Sequence, residues 1–346
     1  MTLAPQSERV PNAISRRALL SLDLPSLPES APETDAGYWL RVHRRAMACR
    51  FEVTLSGEDS AFLAAAKDAL AELERLEARL SVFRETSDLV ELNRRAAREA
   101  VPLDAEMMSL LRTCQALSVE TEGAFDPTST PLSRCWGFLM REGRLPTERE
   151  LEAARARVGI SGVAIDSARG TLRFLREGLE LNLGGIGKGY ALDRVAELLR
   201  GSGVRHALLS AGGSSVRALG GRGTGFRVDV CSPAREVPLC RLRLRSASLG
   251  TSGAGMQFVE IDGRRYGHVI DPRSGWPTAG VLSASVVTDD AASADALSTA
   301  FLVGGGELAR RYCESHTNVA AFLTPDGPGA QTLLVGEHPG LRLEAA

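Results

Sequence analysis

The sequence predicts an α+β fold in which mixed or antiparallel sheets are flanked by helices. The first half carries apolar residues at helical spacing, most clearly over residues 62–80. The second half instead alternates apolar and polar residues over short runs such as 240–244, which is typical of half-buried strands. No internal repeat and no linker interrupts the chain after residue 37. We therefore expect one domain over residues 38–346, with separate helix-rich and strand-rich lobes as the alternative.

The composition argues against several classes of protein. Of the 346 residues, 44% are apolar, which is enough for a substantial core. The net charge of −2 mixes both signs, so a nucleic-acid binder that works through a basic face is not expected. Six cysteines without a CxxC pair favour free thiols over a disulfide framework or a zinc site. The five histidines lack HxxxH or HExxH spacing, so transition-metal chemistry is not expected either.

Residues 1–37 are rich in Pro, Ser and Glu and lack periodicity, so a disordered N-terminal tail is predicted. Ser15 to Leu20 resembles the start of a twin-arginine export signal, but Asp23 and Pro25 interrupt the apolar run that such a signal needs. No cysteine lies near the amino terminus to carry a lipid. No run approaches the ~18 apolar residues of a membrane span. We expect a cytoplasmic protein without a transmembrane segment.

The first half opens with a strand and continues in helices. Met47 to Leu55 alternates and predicts the strand. A turn at residues 57–60 precedes a long helix. The apolar stripe of this helix comprises Phe62, Ala66, Ala69, Leu70, Leu73, Leu76 and Leu80. A short helix over residues 87–93 follows. Asp104 is placed to cap the next helix, and Thr147 forms a capping box with Glu150 before another.

A glycine-rich turn at residues 184–189 lies at the centre of the chain. Leu179, Leu181 and Leu183 alternate with polar residues and predict a strand before the turn. Helical spacing over residues 191–199 predicts a helix after it. The order strand, glycine turn, helix allows backbone N–H groups to bind an anion at the positive end of the helix. Lys188 lies inside the turn, where its charge could meet phosphate oxygens.

The turn does not match the named phosphate-binding motifs. A P-loop would need glycine at Asn182 and Ser or Thr after Lys188, where Gly189 stands. A dinucleotide fingerprint would need glycine at Tyr190. A plain turn with a surface lysine is therefore the alternative.

The second half is predicted as strands with one helix. The strands are expected at residues 206–210, 226–230, 240–244, 256–261, 265–270, 282–287, 318–324 and 331–335, and the helix at about 292–303. Asp262-Gly263 is a strong hairpin signal.

Asp295 and Thr299 are the candidate metal ligands. They stand at i and i+4 and so share one face near the start of the predicted helix. A carboxylate and a hydroxyl are hard oxygen ligands that suit Mg²⁺, which completes its shell with phosphate and water. The alternative is an ordinary acid in a first helical turn, where the helix dipole favours it.

His268 lies near the end of the strand predicted over residues 265–270 and Asp271 follows that strand, so both stand at the rim of a sheet. A histidine there could act as a general base near neutral pH. The alternative is a hydrogen-bonded histidine at a hairpin exit. Residues 251–255 are predicted as a flexible loop with hydroxyl groups that could reach a ligand or merely connect two strands.

Together these segments resemble the ApbE-type flavin transferases, the FAD:protein FMN transferases. The resemblance runs from about Ala46 to Val335. It is carried, in the order of the family, by Ala46-Met47, Ser81-Val82-Phe83, Leu92-Asn93, Gly123-Ala124-Phe125-Asp126-Pro127, Leu183 to Ala191, Ala211-Gly212-Gly213, Thr251-Ser252-Gly253, His268-Val269-Ile270-Asp271-Pro272 and Ala294-Asp295-Ala296-Leu297-Ser298-Thr299. Each piece is a weak signal, but the ordered set is highly specific.

The resemblance implies a role for each matching residue. A Mg²⁺ site is implied at Asp295, Thr299 and the carbonyl of Gly185. FAD contacts are implied at Met47, Phe83, Ala124, Phe125, Asp126, Asn182, Lys188 and a residue of the Val269-Ile270 pair, for which we take Ile270. His268 and Asp271 are expected beside the transferred phosphate as catalytic residues.

The chain departs from the family pattern at three points. Asn182 stands where an aspartate is usual, so one FAD contact keeps an acceptor oxygen but loses a charge. Ser214 replaces the Asp or Asn that often follows the glycine pair. The usual export or lipid signal is missing, so the envelope location that the resemblance implies conflicts with the cytoplasmic expectation.

The resemblance implies Mg²⁺-dependent transfer of FMN from FAD to a Ser or Thr hydroxyl in a motif of an acceptor protein, with release of AMP. Two alternatives stay open at this point. With water as the acceptor, the chain would be an FAD pyrophosphatase that yields FMN and AMP. Without turnover, it would be an FAD-binding protein.

Overall fold

An eight-stranded antiparallel sheet organises the chain in the computed structural model, which describes residues 38–140, 142–230, 239–254, 258–327 and 329–344. The predicted tail and the twin-arginine segment lie outside the described residues. The strands are β1 Trp39–Ala46, β2 Cys49–Ser56, β3 Val101–Pro102, β4 Val163–Asp166, β5 Thr171–Phe174, β6 Ala207–Ala211, β7 Ser215–Leu219, β8 Phe226–Val230, β9 Cys240–Leu244, β10 Ser248–Gly253, β11 Phe258–Ile261, β12 Arg264–Gly267, β13 Val281–Thr288, β14 Val319–Pro325, β15 Leu333–Glu337 and β16 Leu341–Leu343.

The large sheet has the order β1-β2-β6-β7-β10-β13-β14-β15, and every neighbouring pair in it is antiparallel. Three smaller sheets accompany it within the described residues, with the orders β3-β5-β4, β16-β9-β8 and β11-β12. The predicted α+β class with antiparallel sheets is therefore confirmed.

The helices are α1 Leu63–Leu80, α2 Asp88–Arg95, α3 Ala105–Glu120, α4 Thr130–Cys135, α5 Glu148–Arg155, α6 Gly187–Gly201 and α7 Ala291–Ser315. The predicted caps are confirmed. Asp104 accepts a hydrogen bond from the N–H of Met107, and Thr147 and Glu150 form the reciprocal capping box of α5.

Both faces of the large sheet are covered. On one face, β13 and β14 bury Ala284, Val286 and Leu323 in a core with α7. On the other face, the alternate residues Val287 and Phe322 pack with β8 and β9 of the small sheet β16-β9-β8. Successive side chains of a strand point to opposite faces, so β13 and β14 are buried on both sides over most of their length. β14 is apolar from Val319 to Leu323, whereas β13 also buries the small polar side chains of Ser283 and Ser285.

The start of the sheet differs from the prediction, which placed one strand at residues 47–55. The chain instead forms a hairpin of β1 and β2, in register from Trp39 opposite Ser56 to Ala46 opposite Cys49. The turn residues Met47 and Ala48 both have positive φ, 48° and 58°. Such a turn usually carries Asn or Gly, so its sequence gave no hairpin signal.

The strand predicted before the glycine turn is wrong. Leu179, Leu181 and Leu183 are buried as expected, at 0–2% exposure, but the segment forms no strand. Its backbone pairs with a side chain instead. The amide of Asn93 donates to the Leu181 carbonyl at 2.9 Å and its oxygen accepts from the Leu181 N–H at 2.8 Å.

Two further boundaries differ from the predictions. Residues 251–253 belong to the central strand β10 and not to a flexible loop, while Gly255 lies outside the described residues. The helix predicted over about 292–303 is the first segment of α7. Gly305 has the non-helical angles φ 70° and ψ −168°, and a second helical segment, which was not predicted, continues beyond it to Ser315.

Candidate functional site

The glycine turn leads directly into α6. The Asn182 side-chain oxygen accepts from the N–H of Gly184 at 2.9 Å, and the carbonyl of Leu183 accepts from the N–H of Gly187 at 2.7 Å. Beneath the turn lies the ring of Phe125, which would be 3.4 Å from a Cβ atom at Gly185. The turn is thus held by local hydrogen bonds and supported by a buried aromatic ring.

Asp295 is a buried carboxylate at which three segments meet. It lies in the second turn of α7 and is 3% exposed. Its oxygens accept from the ammonium of Lys188 at 3.2 and 3.3 Å and from the N–H of Gly189 at 3.2 Å, both on α6. Ser215 at the start of β7 donates its hydroxyl at 3.1 Å. A buried charge needs such partners, and here they include a cation.

Thr299 lies one turn further along α7. Its hydroxyl is 3.2 Å from that of Ser252 on β10 and would be 3.7 Å from a Cβ atom at Gly185. The structure therefore brings together the three residues Gly185, Asp295 and Thr299, although they are separated by up to 114 positions in the chain.

Close backbone contacts place α7 at this point. A Cβ atom at Gly189 would lie 1.9 Å from the carbonyl oxygen of Ala291. A Cβ atom at Gly250 on β10 would lie 2.3 Å from the carbonyl oxygen of Ala294. Real Cβ atoms do not approach backbone so closely, so glycine is required at both positions for α7 to sit against α6 and the sheet.

Cys49 adds a thiol to the surroundings of Lys188 and Asp295. Burial raises the pKa of this thiol to about 11, while the nearby charge of Lys188 lowers it less strongly. The thiol therefore stays protonated at neutral pH, when it is a poor nucleophile and a poor metal ligand.

Two predicted FAD contacts, Met47 and Phe83, lie near the C-terminal end of α1. The N–H of Met47 donates to the carboxylate of Glu77 on α1 at 3.0 Å. Phe83, just beyond the end of α1, is 76% exposed. An aromatic ring with so much free surface is available to stack on a flat ligand.

The predicted contacts at 124–126 are largely buried. Ala124 and Phe125 are 1% and 4% exposed, so a ligand would meet mainly their backbone. Asp126 accepts from the N–H and hydroxyl of Thr128 and from the N–H of Ile160, at 2.6–2.9 Å. Burial raises the pKa of Asp126 despite these bonds.

Asp126 also lines a cleft of about 500 Å³. The other residues of its wall are Gly123, Glu152, Arg155, Ala156, Val158, Gly159, Pro272 and Arg273. This volume is within the range of small-molecule sites.

The predicted catalytic pair lies just after β12. His268 is half-buried and follows Gly267, which packs against Ala254 at the end of β10, two residues beyond Ser252. The carboxylate of Asp271 is engaged by Arg273, which donates from its backbone N–H at 2.9 Å and from its guanidinium at 2.8 and 3.0 Å. Asp271 is thus already paired with a cation.

Ile270, the predicted FAD contact between them, is 6% exposed. It packs in a small core with Leu132 and Trp136, and it forms an isolated bridge with Pro277. Its side chain is therefore committed to packing, and only its backbone is available to a ligand.

The donor set at Asp295 fits a magnesium ion better than a transition metal. Within the described ranges, no group of three or more His, Cys, Asp or Glu side chains is placed to hold a metal ion. Asp295, the hydroxyl of Thr299 and the carbonyl of Gly185 instead offer one charged and two neutral oxygens. Mg²⁺ binds such small sets and takes its other ligands from water and substrate phosphate.

A comparison with protein families identifies the family of the chain. The model of the ApbE family matches residues 47–323, which is most of the chain. The chain belongs to the ApbE family. The predicted family is therefore confirmed, and with it the class of enzyme, a transferase.

Curated relatives carry one shared name. A protein of Escherichia coli strain K12, named FAD:protein FMN transferase, is 28% identical over 261 residues, which are 73% of this chain and 74% of the relative. A Vibrio cholerae protein of the same name is 30% identical over 250 residues, which are 70% of this chain and 74% of the relative.

Solved structures agree with the fold. The ApbE protein of Thermotoga maritima superposes with a TM-score of 0.78 at 29% identity, covering 86% of this chain and 97% of that one. The apo form of the flavinyl transferase ApbE of Pseudomonas stutzeri gives a TM-score of 0.76 at 29% identity, covering 86% and 95%.

Some residues of the site were not predicted. Ser215 follows Ser214, at which the family pattern is broken, but no sequence signal connects it with Asp295. Ser252 was named in a hydroxyl-bearing loop and in a family segment, but no role was assigned to it. Cys49 stands in a strand and carries no motif.

Among the helices in the described part of the chain, none is long and apolar enough to cross a membrane.

Proposed function

We propose that this ApbE-family protein transfers the FMN moiety of FAD to a Ser or Thr hydroxyl of an acceptor protein, in a Mg²⁺-dependent reaction that releases AMP. The main support is the convergence of Gly185, Asp295 and Thr299 beside Lys188, at the N-terminus of α6. The name shared by the curated relatives supports the same reaction.

The oxygens of Asp295, Thr299 and Gly185 would hold the magnesium ion. When bound there, Mg²⁺ would neutralise negative charge on the diphosphate of FAD. The ammonium of Lys188 would bind the same phosphate oxygens at the N-terminus of α6, because a helix N-terminus attracts anions. This arrangement directs positive charge to the place where charge develops as the bond to AMP breaks.

The transfer itself exchanges one P–O bond for another. The acceptor hydroxyl oxygen bonds to the phosphorus on the FMN side of the diphosphate, and the bond from that phosphorus to the bridging oxygen breaks. AMP leaves with the bridging oxygen. His268 accepts the hydroxyl proton as the general base. Asp271 lies beside the transferred phosphate and holds Arg273 through its ion pair.

The remaining FAD contacts are assigned by position. Phe83 offers its exposed ring to the flavin or the adenine, and Met47 lies nearby at the β1–β2 turn. Asn182 offers the second lone pair of the oxygen that holds Gly184. The proposed FAD-binding surface also includes the cleft lined by Asp126. It is completed by the backbone of Ala124, Phe125 and Ile270.

Mass spectrometry of an acceptor distinguishes this function from the alternatives. The protein is incubated with FAD, Mg²⁺ and candidate acceptors, and both covalent FMN on a Ser or Thr and released AMP are measured. We expect equal amounts of both products. AMP and free FMN without labelling of any acceptor would identify a pyrophosphatase, and tight FAD binding without AMP would identify a binding protein.

A further inference from the structure

The start of α7 is capped by a side chain from another helix. Asp193 on α6 accepts from the N–H of Ala291 and from the N–H of Ala292, both at 2.9 Å. The first N–H groups of a helix have no partner within it. α7 also has its own cap, Asp290, which accepts from the N–H of Ser293 at 2.7 Å. Asp193 therefore adds a bond between two helices to a cap that α7 already possesses.

This bond joins the two helices that build the candidate metal site. α6 carries Lys188 five residues before Asp193, and α7 carries Asp295 three residues after Ala292. A helix rises 1.5 Å per residue, so a small shift at its first turn moves the Asp295 carboxylate by a similar distance. The contacts of Gly189 and Gly250 fix how closely α7 approaches, and the two directional bonds of Asp193 fix its position along its axis.

The surroundings of Asp193 make its charged form unfavourable, because the carboxylate is buried. Burial raises the pKa of this carboxyl to about 6, more than its hydrogen bonds lower it. The guanidinium of Arg217 lies 3.6 Å away and donates to Ser248 at 2.8 Å. A neutral cap would avoid the desolvation of a charge. The two carboxylate oxygens of Asp193, however, satisfy both N–H groups at once, one oxygen for each.

We propose that Asp193 is a positioning residue for the metal site: it aligns α7 with α6 so that Asp295 and Thr299 face Gly185 and Lys188. The inference deepens the proposed function and rests on it. Asp193 touches neither the metal nor the substrate, and it acts through the backbone of Ala291 and Ala292. Partners of metal ligands commonly change metal affinity by about 10–100-fold when they are replaced.

Binding of Mn²⁺, a spectroscopic substitute for Mg²⁺, tests this role. Free Mn²⁺ is measured by electron paramagnetic resonance during titration of the parent, Asp193→Asn and Asp193→Ala, at a temperature at which circular dichroism shows each to be folded. We expect the dissociation constant to rise about 10-fold or more in Asp193→Ala. Asp193→Asn keeps one acceptor oxygen, so a smaller rise of the dissociation constant is expected. This variant also provides the test if Asp193→Ala does not fold.

Asp166→Ala is the matched control. The Asp166 carboxylate also accepts from two backbone N–H groups, those of Ala168 and Arg169, but it is the last residue of β4 and these bonds lie within the β4–β5 turn. It should leave Mn²⁺ binding unchanged. Both Asp193 variants could be less thermally stable than the parent and still bind Mn²⁺ with the parent's dissociation constant. That result would overturn the positioning role and leave the proposed metal site standing. A parent that binds no Mn²⁺ would instead overturn the proposed metal site, and this inference with it.

Discussion

The two glycines at the start of α6 have different roles. At Gly189 an added methyl group would collide with the backbone of α7, 1.9 Å from the carbonyl oxygen of Ala291. At Gly187 nothing lies within 4 Å of a Cβ atom. Backbone cannot move aside as the end of a flexible side chain can. The helices must therefore separate if residue 189 is not glycine.

We predict that Gly189→Ala destabilises the protein by about 3 kcal/mol or more, because α6 and α7 cannot pack as they do. Gly187→Ala is its control and should be neutral or slightly stabilising, since alanine has the higher helix propensity. Urea unfolding of both variants measures this difference. Equal stability of the two variants would contradict the packing described here.

Sequence predicts the local part of the site but not its assembly. Asp295 and Thr299 could be placed on one helix face from their spacing alone. The nearness of Gly185 to Thr299, and the donation by Ser215 to Asp295, depend on strand order and helix docking across 80 positions or more. No local pattern encodes such contacts, and the resemblance to the family supplied the missing link for Gly185.

At the scale of elements, the side chain of Asn93 makes the two backbone hydrogen bonds that a neighbouring strand would otherwise make. Leu181 is fully buried, and both its N–H and its carbonyl pair with the amide of Asn93. We predict that Asn93→Ala costs about 2–3 kcal/mol, because two backbone groups lose their partners in the core. Asn93→Asp should also destabilise, since a carboxylate cannot donate to the carbonyl. Chemical unfolding of both variants tests this, and stability equal to the parent would refute the role of Asn93.

A charged network joins α1, α3 and α6. Glu106 on α3 accepts from Arg75 at 2.8 Å and from the hydroxyl of Tyr190 at 3.0 Å, and it pairs with Arg79. The hydrogen bonds from Arg75 above all, and then from Tyr190, lower the pKa of Glu106 to about 2. A lowered carboxyl pKa stabilises the fold above the unfolded value, and this contribution is lost as the pH falls.

We predict that Glu106→Gln is less stable than the parent by about 1–2 kcal/mol at pH 7, a value reduced for partial solvent exposure. The difference should shrink as the pH falls from about 4.5 towards 2, because Glu106 then becomes protonated in the parent. Urea unfolding of the two proteins at several pH values measures the difference. A stability difference between the two proteins that stays constant over this pH range would show that it does not come from the charge of the Glu106 carboxylate.

The elements with a strong local signal could be predicted, and those held by distant partners could not. The apolar stripe of α1 and the caps at Asp104 and Thr147 follow from spacing and residue type. The hairpin turn at Met47 could not be predicted, because neither turn residue is a usual one. The segment around Leu181 has the alternation of a strand, but the pairing that decides its state comes from Asn93, 88 positions away.

At the scale of the whole molecule, the site lies where separate parts of the chain meet. Met47 lies at the β1–β2 turn, Lys188 on α6, Ser252 on β10 and Thr299 on α7. The cores on the helical side of the sheet meet at Leu80 and Tyr190, which pack against both. Ligands that bridge these parts should therefore stabilise the fold as a unit.

We predict that FAD with Mg²⁺ raises the melting temperature of the parent. A ligand at about 100 times its dissociation constant contributes about 2.7 kcal/mol, which corresponds to several degrees for a chain of this size. Differential scanning fluorimetry of the parent and Asp295→Ala, with FAD alone and with FAD and Mg²⁺, measures the shift. The increment due to Mg²⁺ should be absent in Asp295→Ala, and an equal increment in both proteins would place the ion elsewhere.

Release of AMP from FAD, with and without Mg²⁺, tests the central claim most directly. Rates are compared for the parent, Asp295→Ala and the control Asp166→Ala. We predict Mg²⁺-dependent release by the parent and the control, and a loss of orders of magnitude in Asp295→Ala, since an electrostatic partner of the transition state contributes about 3–4 kcal/mol. AMP release by Asp295→Ala at the rate of the parent, or release that does not depend on Mg²⁺, would contradict the proposed site.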